Sequence, residues 1–458
     1  MNSYRSVLLI SIAWLLISCN KNDEFPPFNP PVLDTTFVQY GTPFAGVPDR
    51  EDAVIYQVNI CAFSATGDFQ GVIARLDSIK ALGVNVIYLM PIYPVGTVNS
   101  VNSPYCVKDY VAVNSEFGTL DDLRQLVDGA HSRNMSVMLD WVANHTAWDH
   151  PWISAHKDWY LQDNAGNILI PPGTNYTDVA QLDFNSSAMR LEMIKDMQYW
   201  VYEANVDGFR FDYVDGPPID FWEQAVVALR KISTHNLLLL AEGAGSENYT
   251  AGFDYIFGFN FYGNLKQIFS SNKSVTSIDG LNISEYTNAS NGQQVVRFTT
   301  NHDVNSSDAT PLALFGGEDG SLAAFAVIAC MKSIPMIYSG QEVGMTQQIF
   351  FPFTATNINW SANTQITQSY KEILAFRNAH EAVRKGTLVT YSTNDVCAFT
   401  KELGSKKVLV IINLRNTTVN FTIPAALANT SWTDVNGSNI TLSGSTALQP
   451  YSYSLLKN

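Results

Sequence analysis

Four stretches of the chain share one pattern, an apolar run that ends in acidic or histidine residues. The runs end at Asp140, Asp212, Glu242 and Asp303, in that order along the sequence. A buried strand of a parallel sheet reads as a near-continuous apolar run, and parallel barrels carry their chemistry at the carboxyl ends of the strands. The pattern therefore predicts a parallel sheet whose carboxyl-terminal edge carries a functional site.

The second of these runs, residues 208–212 (GFRFD), places an arginine two residues before an aspartate. Alternate side chains share a face of a strand, so Arg210 and Asp212 are predicted to project together. A neighbouring arginine lowers the pKa of a carboxyl group, which suits a nucleophile better than an acid catalyst. A purely structural salt bridge inside the barrel is the alternative for this pair.

Length and composition set bounds on the architecture and on the partners of the chain. A chain of 458 residues with 46% hydrophobic residues is long enough for one large barrel and a smaller domain. The formal charge of −15 argues against nucleic acid or anionic membrane surfaces as partners. The 12% aromatic content suits a neutral sugar substrate, because sugar faces stack on aromatic rings, and a large apolar core is the alternative use of these residues.

The order of apolar patterns divides the chain into domains. Strand-like and helix-like patterns alternate over residues 49–385, which predicts one large domain with a right-handed parallel arrangement of strands and helices. The alternation stops over about residues 146–183, which predicts a short inserted subdomain because structureless loops of that length are uncommon. Short β runs between turn residues over 386–458 predict a C-terminal antiparallel β-sandwich domain.

The N-terminus has the features of an exported lipoprotein. Residues 1–19 combine a basic start with an apolar run too short to span a bilayer, and residues 16–19 (LISC) resemble the bacterial lipobox. Cys19 is the predicted lipidation site, with an ordinary cleaved signal peptide as the alternative. Residues 20–48 are predicted to be a tether. We expect a cell envelope lipoprotein of a bacterium, on the outer membrane facing the periplasm or the cell surface.

The remaining cysteines show no metal-ligand spacing. They are predicted to be buried free thiols, with one disulfide as the alternative in an oxidising compartment. These residues are Cys61, Cys106, Cys330 and Cys397.

Taken in order, the motifs resemble those of the α-amylase superfamily of retaining glycoside hydrolases. The matching stretches are residues 140–145 (DWVANH), 208–212, Glu242 and 298–303 (FTTNHD). The resemblance implies a (β/α)8 TIM barrel with a short inserted domain after strand 3 and a C-terminal antiparallel β domain.

The resemblance also implies roles for three carboxyl groups. Asp212 is the expected nucleophile, Glu242 the acid/base, and Asp303 the group that holds the sugar hydroxyls. Glu242 ends an aliphatic run, and a less polar environment would raise its pKa towards the working pH.

Other matched positions imply substrate binding or structural support. Tyr105 is expected to stack on the sugar that is cleaved, with loop packing as its alternative. His145 is expected to hydrogen-bond that sugar, with a core position as its alternative. The substrate-binding set is Tyr105, His145, Arg210 and His302, and the supporting set is Asp140, Asn144 and Asp183.

The reaction implied by the resemblance is retaining hydrolysis of α-glucosidic bonds, chiefly α-1,4 bonds in starch, glycogen or maltooligosaccharides, through a covalent glycosyl-enzyme. A pullulan- or cyclodextrin-cleaving hydrolase and a 4-α-glucanotransferase are alternatives within the superfamily. A non-catalytic glucan-binding lipoprotein is a remote alternative, because binding alone does not require an acid and a nucleophile together.

Departures from the family pattern weaken the expectation of a metal. Many members carry Lys-His where this chain has Asp215 and Gly216, and an aspartate of the usual calcium motif is replaced by Gln181. Calcium prefers six to eight oxygen ligands that include carboxylates, and Asn144 is the one ligand position that matches. We therefore expect no cofactor, with calcium as the alternative.

Overall fold

The computed structural model describes residues 37–290, 292–354 and 358–458. The strands of these residues are β1 (Ile55–Val58), β2 (Val86–Leu89), β3 (Ser136–Trp141), β4 (His145–Ala147), β5 (Val179–Gln181), β6 (Gly208–Phe211), β7 (Leu238–Ala241), β8 (Tyr255–Phe257), β9 (Gln294–Phe298), β10 (Ile334–Tyr338), β11 (Thr387–Thr390), β12 (Val396–Leu403), β13 (Lys406–Asn413), β14 (Val419–Thr422), β15 (Ser431–Asp434), β16 (Asn439–Thr441), β17 (Ser445–Leu448) and β18 (Tyr453–Lys457).

The α-helices of the same residues are α1 (Ile60–Phe63), α2 (Phe69–Ile73), α3 (Leu76–Ala81), α4 (Leu120–His131), α5 (Pro151–Ala155), α6 (Ser187–Glu203), α7 (Ile219–Arg230), α8 (Glu247–Thr250), α9 (Phe259–Ser270), α10 (Ser277–Ser284), α11 (His302–Ser307), α12 (Pro311–Leu314), α13 (Gly317–Cys330), α14 (Thr364–Ala379) and α15 (Glu381–Lys385). Short 3-10 helices lie at Arg50–Asp52, Lys157–Trp159 and Gln341–Val343.

Eight strands close into a parallel barrel in the order β1-β10-β9-β8-β7-β6-β3-β2. Every residue of these strands is buried except Gln294 at the start of β9. Burial on both faces explains why the strands read as continuous apolar runs rather than as alternating patterns. The predicted α/β barrel is confirmed.

Gly208 sets the spacing between the two strands that carry the central motif. A Cβ atom on Gly208 would lie 2.0 Å from the carbonyl oxygen of Leu238 in β7. Any side chain at this position would collide with the backbone of β7 and push β6 away from it. This separation would break the hydrogen bonds that pair the two strands. The glycine therefore keeps the strand of Arg210 close to the strand that precedes Glu242.

Local sequence signals mark the boundaries of some helices. α4 begins at a capping box in which Asp122 N donates to Thr119 Oγ1 at 3.2 Å and Thr119 N donates to Asp122 Oδ2 at 2.9 Å. The helical pattern over residues 69–82 forms two helices, because Arg75 departs from helical geometry with φ −114° and ψ 4°. Gly83 ends the second helix with φ +99°.

The segment between β3 and α6 forms the predicted inserted subdomain. β4 and β5 pair antiparallel with His145 opposite Gln181. Thr146 Oγ1 lies 2.8 Å from Tyr160 Oη, and the Asp183 N–H donates to the Trp159 carbonyl oxygen at 2.8 Å. The insertion is thus an ordered hairpin with two short helical turns between its strands.

The C-terminal domain is antiparallel, as predicted. Its six-stranded sheet has the order β11-β12-β13-β18-β15-β16, and β14 and β17 form a second sheet. Phe421 and Leu448 of the second sheet are buried against the first. Arg415 ties the domain to the barrel by donating to the carbonyl oxygens of Ile268 at 2.8 Å and Lys273 at 2.9 Å.

Residues 37–48, placed in the tether by the sequence pattern, pack on the barrel. The ring of Phe37 stacks on Tyr202 of α6 with centroids 5.9 Å apart. Tyr40 N donates to the Tyr202 carbonyl oxygen at 2.8 Å, and Tyr40 Oη donates to Asp128 at 2.7 Å. A free tether would therefore end before Phe37.

Residues 1–36 lie outside the described residues, and with them the predicted signal peptide and Cys19. Within the described ranges, no helix combines the length and the hydropathy needed to cross a lipid bilayer. The four later cysteines are free thiols, as predicted, and three of them are buried. These are Cys106, Cys330 and Cys397, whereas Cys61 is partly exposed.

Candidate active site

The barrel brings the predicted catalytic residues to the carboxyl ends of its strands. Asp140 lies near the end of β3, Arg210 lies in β6, and Asp212 follows β6 directly. Glu242 follows β7, and Asp303 lies in the first turn of α11, just beyond β9. The four acidic runs of the sequence thus meet at one end of the barrel.

Arg210 connects three of the carboxylates. Its side chain is 1% exposed, and its Nη1 atom lies 2.6 Å from Asp140 Oδ1 and 2.9 Å from Asp212 Oδ1. Its Nη2 atom forms an ion pair with Glu242 Oε1. Because Arg210 is one cation among three carboxylates, the centre carries excess negative charge when all three are ionised.

The pKa of Asp212 differs from the sequence prediction. Burial raises it well above the usual range, and the carboxylates of Glu242, Asp140 and Asp303 raise it further, whereas Arg210 lowers it. The prediction that the arginine makes the net pKa low is therefore wrong, because desolvation and like charge outweigh a cation shared with other carboxylates.

The surroundings of Glu242 also differ from the prediction. Its Oε1 atom pairs with Arg210, and its Oε2 atom accepts a hydrogen bond from the Tyr213 N–H at 2.9 Å. The aliphatic residues that precede Glu242 belong to β7 and fill the barrel wall rather than surround the carboxyl group. The predicted apolar environment is thus replaced by a polar one.

A chain of hydrogen bonds joins Tyr105 and His302 to Asp140. Tyr105 Oη donates to Asp140 Oδ2 at 3.0 Å and lies 2.7 Å from His302 Nε2. With the Gln57 amide oriented as in the structure, its Nε2 donates to His302 Nδ1 at 2.8 Å, so the imidazole proton lies on Nε2. Tyr88 Oη donates to the same Asp140 oxygen at 2.6 Å. Burial lowers the pKa of His302 to about 4, so this histidine is neutral near pH 7.

His145 and Asp303 complete the cluster on opposite sides of this chain. His145 is buried, with its Nε2 atom 3.2 Å from the Tyr105 carbonyl oxygen, and burial lowers its pKa to about 4. The side chain of Asp303 is 49% exposed, and its Oδ1 atom lies 3.3 Å from His302 Nε2. Asp303 therefore remains open to a ligand that enters from solvent.

The family resemblance raises the question of calcium at the base of the inserted subdomain, and the residues there do not fit the ion. Gln181 Nε2 donates to Asn144 O at 3.0 Å, to Asn144 Oδ1 at 3.2 Å and to Leu182 O at 3.0 Å. An amide nitrogen thus lies where these oxygens converge, and Gly216 adds no side-chain ligand. Among the described residues, no group of three or more His, Cys, Asp or Glu side chains could hold a metal ion.

Asp183, a predicted supporting residue, has a local role. Its Oδ1 atom accepts hydrogen bonds from Asn185 N at 3.0 Å and from Asn185 Nδ2 at 2.9 Å. These bonds stabilise the turn that leads into α6, and no described contact joins Asp183 to the carboxylate centre. Asn144 supports the base of the insertion through Gln181, as described above.

A family model described as "Alpha amylase, catalytic domain" matches residues 59–402, which is most of the chain. The chain belongs to the α-amylase family. Members of this family are glycoside hydrolases, so the predicted enzyme class is confirmed.

Other family members show how far the similarity extends. "Alpha-amylase 3" of Dictyoglomus thermophilum is 26% identical over 445 residues, which cover 82% of this chain and 87% of that protein. A cyclomaltodextrinase of Thermoanaerobacter pseudethanolicus is 24% identical over 76% of this chain and 63% of its own length. The crystal structure of an α-amylase from Lactobacillus plantarum superposes with a TM-score of 0.79, at 27% identity over 89% of this chain and 99% of that one.

Three residues of this α-amylase-family centre are not predicted by the motifs. Gln57 and Tyr88 lie within apolar strands, where a lone polar group in a buried run is the one signal that could have revealed them. Tyr213 follows Asp212 and has φ +42°, a conformation rare for a bulky residue. No sequence signal indicates that its backbone N–H contacts Glu242, because that contact depends on the turn after β6.

Proposed function

We propose that the protein cleaves α-glucosidic bonds, chiefly α-1,4 bonds in starch, glycogen or maltooligosaccharides, with retention of the anomeric configuration. The observation that carries this proposal is the contact of Asp212 and Glu242 with the two terminal nitrogens of one guanidinium. Retaining enzymes hold their two carboxyl groups about 5 to 5.5 Å apart, whereas inverting enzymes need about 6.5 to 9.5 Å to admit a water molecule. Two carboxylates on the same guanidinium favour the shorter separation.

In the first step, a carboxylate oxygen of Asp212 attacks the anomeric carbon while Glu242 gives a proton to the bridging oxygen. The bond from the anomeric carbon to that oxygen breaks, and the acceptor sugar leaves as an alcohol. In the second step, Glu242 takes a proton from water, the water oxygen attacks the anomeric carbon, and Asp212 leaves as a carboxylate. Asp303 hydrogen-bonds the sugar hydroxyls in the oxocarbenium-like transition state.

The charges of the centre support this division of roles. Arg210 favours the ionised form of Asp212, whereas the charge of Glu242 disfavours it. When Glu242 carries the proton that the first step requires, one of the charges that raise the pKa of Asp212 disappears. Protonation of Glu242 therefore favours ionisation of Asp212, and ionisation of Asp212 favours protonation of Glu242, as expected of two carboxyl groups whose titrations interact.

The relatives support a second candidate for the substrate specificity of the enzyme. Besides the cyclomaltodextrinase, a maltogenic α-amylase of Bacillus acidopullulyticus is 24% identical over 78% of this chain. Exposed Asp215 replaces a basic position of the family pattern near the acceptor side. A pullulan- or cyclodextrin-cleaving hydrolase or a 4-α-glucanotransferase therefore remains the alternative, and products from maltooligosaccharides, pullulan and cyclodextrin distinguish these activities.

The test of the main proposal is the anomeric form of the first product. Soluble starch is incubated with the enzyme, and the anomeric protons are followed by NMR before mutarotation equilibrates them. We expect the α-anomer of the new reducing end to appear first. First appearance of the β-anomer would contradict a retaining mechanism. The absence of new reducing ends would favour the non-catalytic glucan-binding alternative only if the chain lengths of the glucan were also unchanged, because a glucanotransferase redistributes chain lengths without net hydrolysis.

We also propose that lipid on Cys19 anchors the enzyme to the outer membrane of a bacterium, facing the periplasm or the cell surface. The support is the LISC sequence at residues 16–19, which follows a basic and apolar start. Residues 20–36 form a proline-containing stretch of sequence between this cysteine and Phe37, the first described residue that packs on the barrel. Such a connection allows the barrel to reach a polymer in solution.

A further inference from the structure

We propose that Phe350 and Phe351 form a stacking platform for the non-reducing part of an α-glucan chain, beyond the sugar that is cleaved. This inference rests on the proposed function and adds a specificity site to it. The two side chains are 62% and 50% exposed, which is unusual for adjacent phenylalanines. They follow β10, so they lie at the same end of the barrel as the carboxylate centre.

The loop holds these rings in place through its backbone. Ile349 N donates to Asn305 Oδ1 at 2.8 Å, and Phe351 N donates to Ser306 Oγ at 2.9 Å. Both acceptors belong to α11, the helix whose first turn carries Asp303. The exposed rings are therefore fixed relative to the predicted sugar-binding carboxylate, and ordering them on binding costs little conformational entropy.

Phe353 links the platform to the centre. Its ring lies 5.4 Å from Phe351, 5.1 Å from His302 and 6.4 Å from Tyr105, measured between ring centroids. Phe353 is buried and has φ +71°, and its carbonyl oxygen accepts a hydrogen bond from Asn59 at 3.1 Å. A bulky residue keeps such a conformation only where surrounding contacts impose it, and such residues cluster at ligand sites.

The position of the loop indicates the donor side of the scissile bond. In the closed strand order, β10, which precedes the platform, lies opposite β6, which precedes Tyr213. Tyr213 contacts Glu242, the group that protonates the departing acceptor sugar. The platform instead continues outwards from Tyr105 and His302, which are assigned to the sugar on the other side of that bond.

The chemistry of the loop suits a neutral sugar chain. Residues 344–354 contain no charged side chain, and besides the three phenylalanines they offer threonine hydroxyls and glutamine amides. Aromatic faces attract the C–H faces of sugars, and neutral hydrogen-bonding groups match sugar hydroxyls without the desolvation cost of charges. A glucan that continues from the cleaved sugar therefore fits this surface.

The test compares a long and a short substrate. Values of kcat/KM are measured for maltoheptaose and for α-glucosyl fluoride, which fills the cleavage position alone. We expect the ratio of the two values to fall about tenfold in the double variant Phe350→Ala/Phe351→Ala and to be retained in Phe351→Tyr, which keeps the ring. The control is Ile283→Ala, which removes a 76% exposed side chain on α10 and should not change the ratio.

Measurements of maltoheptaose binding test the platform independently of the proposed hydrolytic activity. In an Asp212→Asn background, the Kd for maltoheptaose should rise about tenfold on adding Phe350→Ala/Phe351→Ala. An unchanged Kd would overturn the platform, and if the same change converted a dimer to a monomer in sedimentation, a second copy of the chain would be the occupant. A parent enzyme that cleaves neither substrate would refute the proposed function, while the Kd comparison would still decide the platform.

Discussion

Arg210 contacts Glu242 through Nη2 while its Nη1 atom contacts Asp212 and Asp140. One planar cation thus fixes the separation of the two carboxyl groups to which we assign the chemistry. A lysine could supply the charge but not two rigidly spaced donors. The geometry of the guanidinium, rather than its charge alone, is therefore the feature on which the proposed mechanism depends.

Two substitutions of Arg210 should separate the contribution of its charge from that of its guanidinium geometry. We expect Arg210→Lys to lower kcat at least about 100-fold, because one ammonium cannot hold both carboxyl groups. We expect Arg210→Met to lower the free energy of unfolding by about 3–5 kcal/mol, because it leaves Asp140 buried without a cation. Denaturant unfolding and steady-state kinetics measure the two effects.

The matched control for this prediction is Arg133→Met. Arg133 pairs with Asp77 at 2.6 Å, but the aspartate side chain is 84% exposed. Loss of this exposed ion pair should change the free energy of unfolding far less, because water screens both charges. Equal stability losses in Arg133→Met and Arg210→Met would contradict a special role for the buried arginine.

The pH dependence should report the coupling between Asp212 and Glu242. Activity on α-glucosyl fluoride needs ionised Asp212 but little acid assistance, so it should fall as pH decreases through the raised pKa of Asp212. Glu242→Gln removes a negative charge that raises this pKa. We therefore expect the acidic side of the kcat/KM profile to move to lower pH in Glu242→Gln.

For this profile, Glu223→Gln on the exposed face of α7 is the control, and it should match the parent enzyme. A Glu242→Gln profile that stays in place or moves to higher pH would show that the two carboxyl groups do not interact as described. The same variant should lose about 10²- to 10⁴-fold in activity on maltooligosaccharides, whose leaving group requires a proton.

The motifs predict the barrel and the position of the carboxylates because strand ends are visible in a single sequence. Asp140, Asp212 and Glu242 each follow an apolar run, and parallel strands bring such ends together. The electrostatics could not be predicted in the same way. The contact of Arg210 with Glu242 crosses from β6 to β7, and its effect depends on how many carboxylates share the cation.

The role of Gln57 is a second feature that the sequence could not predict. Its amide orients His302, but the two residues are 245 positions apart and no local motif connects them. Residues 37–48, assigned to the tether by the sequence, are a third case. They mix aromatic, small and proline residues without a period, and their packing depends on rings of α6 that occur much later in the chain. Contacts of this kind join residues that are far apart in the sequence. They are made when the barrel closes, and the order of residue types along the chain does not reveal them.

The base of the inserted subdomain should be stable without metal. Because the Gln181 amide donates to three oxygens that would otherwise need a cation, we expect the melting temperature and the activity to change little after exhaustive chelation. We expect Gln181→Ala to lower the free energy of unfolding by roughly 1–3 kcal/mol, because it leaves buried carbonyl groups unpaired. Thermal unfolding with and without chelator measures both effects.

Gln162→Ala is the control for Gln181→Ala, since Gln162 lies in the same subdomain and makes an exposed hydrogen bond to Lys157 O. This control should change the stability little. A drop of several degrees in melting temperature on adding chelator, restored by calcium, would show that a metal site exists in the protein.

Membrane attachment through the proposed lipid on Cys19 should have no effect on catalysis. We expect Cys19→Ala to release the protein from the membrane fraction with unchanged specific activity, because Cys19 lies 18 positions before Phe37, the first described residue that packs on the barrel, and far in sequence from the carboxylate centre. Cell fractionation followed by activity measurement tests this prediction. If Cys19→Ala still sedimented with membranes, attachment through this cysteine would be excluded.

The central claim is that Asp212 is the nucleophile of a retaining mechanism. A fluorinated glucosyl donor with a good leaving group slows breakdown of the glycosyl-enzyme, so the covalent adduct can be located by mass spectrometry of peptides. We expect the adduct on the peptide that contains Asp212, and no adduct in Asp212→Asn. An adduct on Glu242 would reverse the assignment of the two carboxyl groups, and turnover of the donor without any adduct, to a product of inverted configuration, would contradict the mechanism.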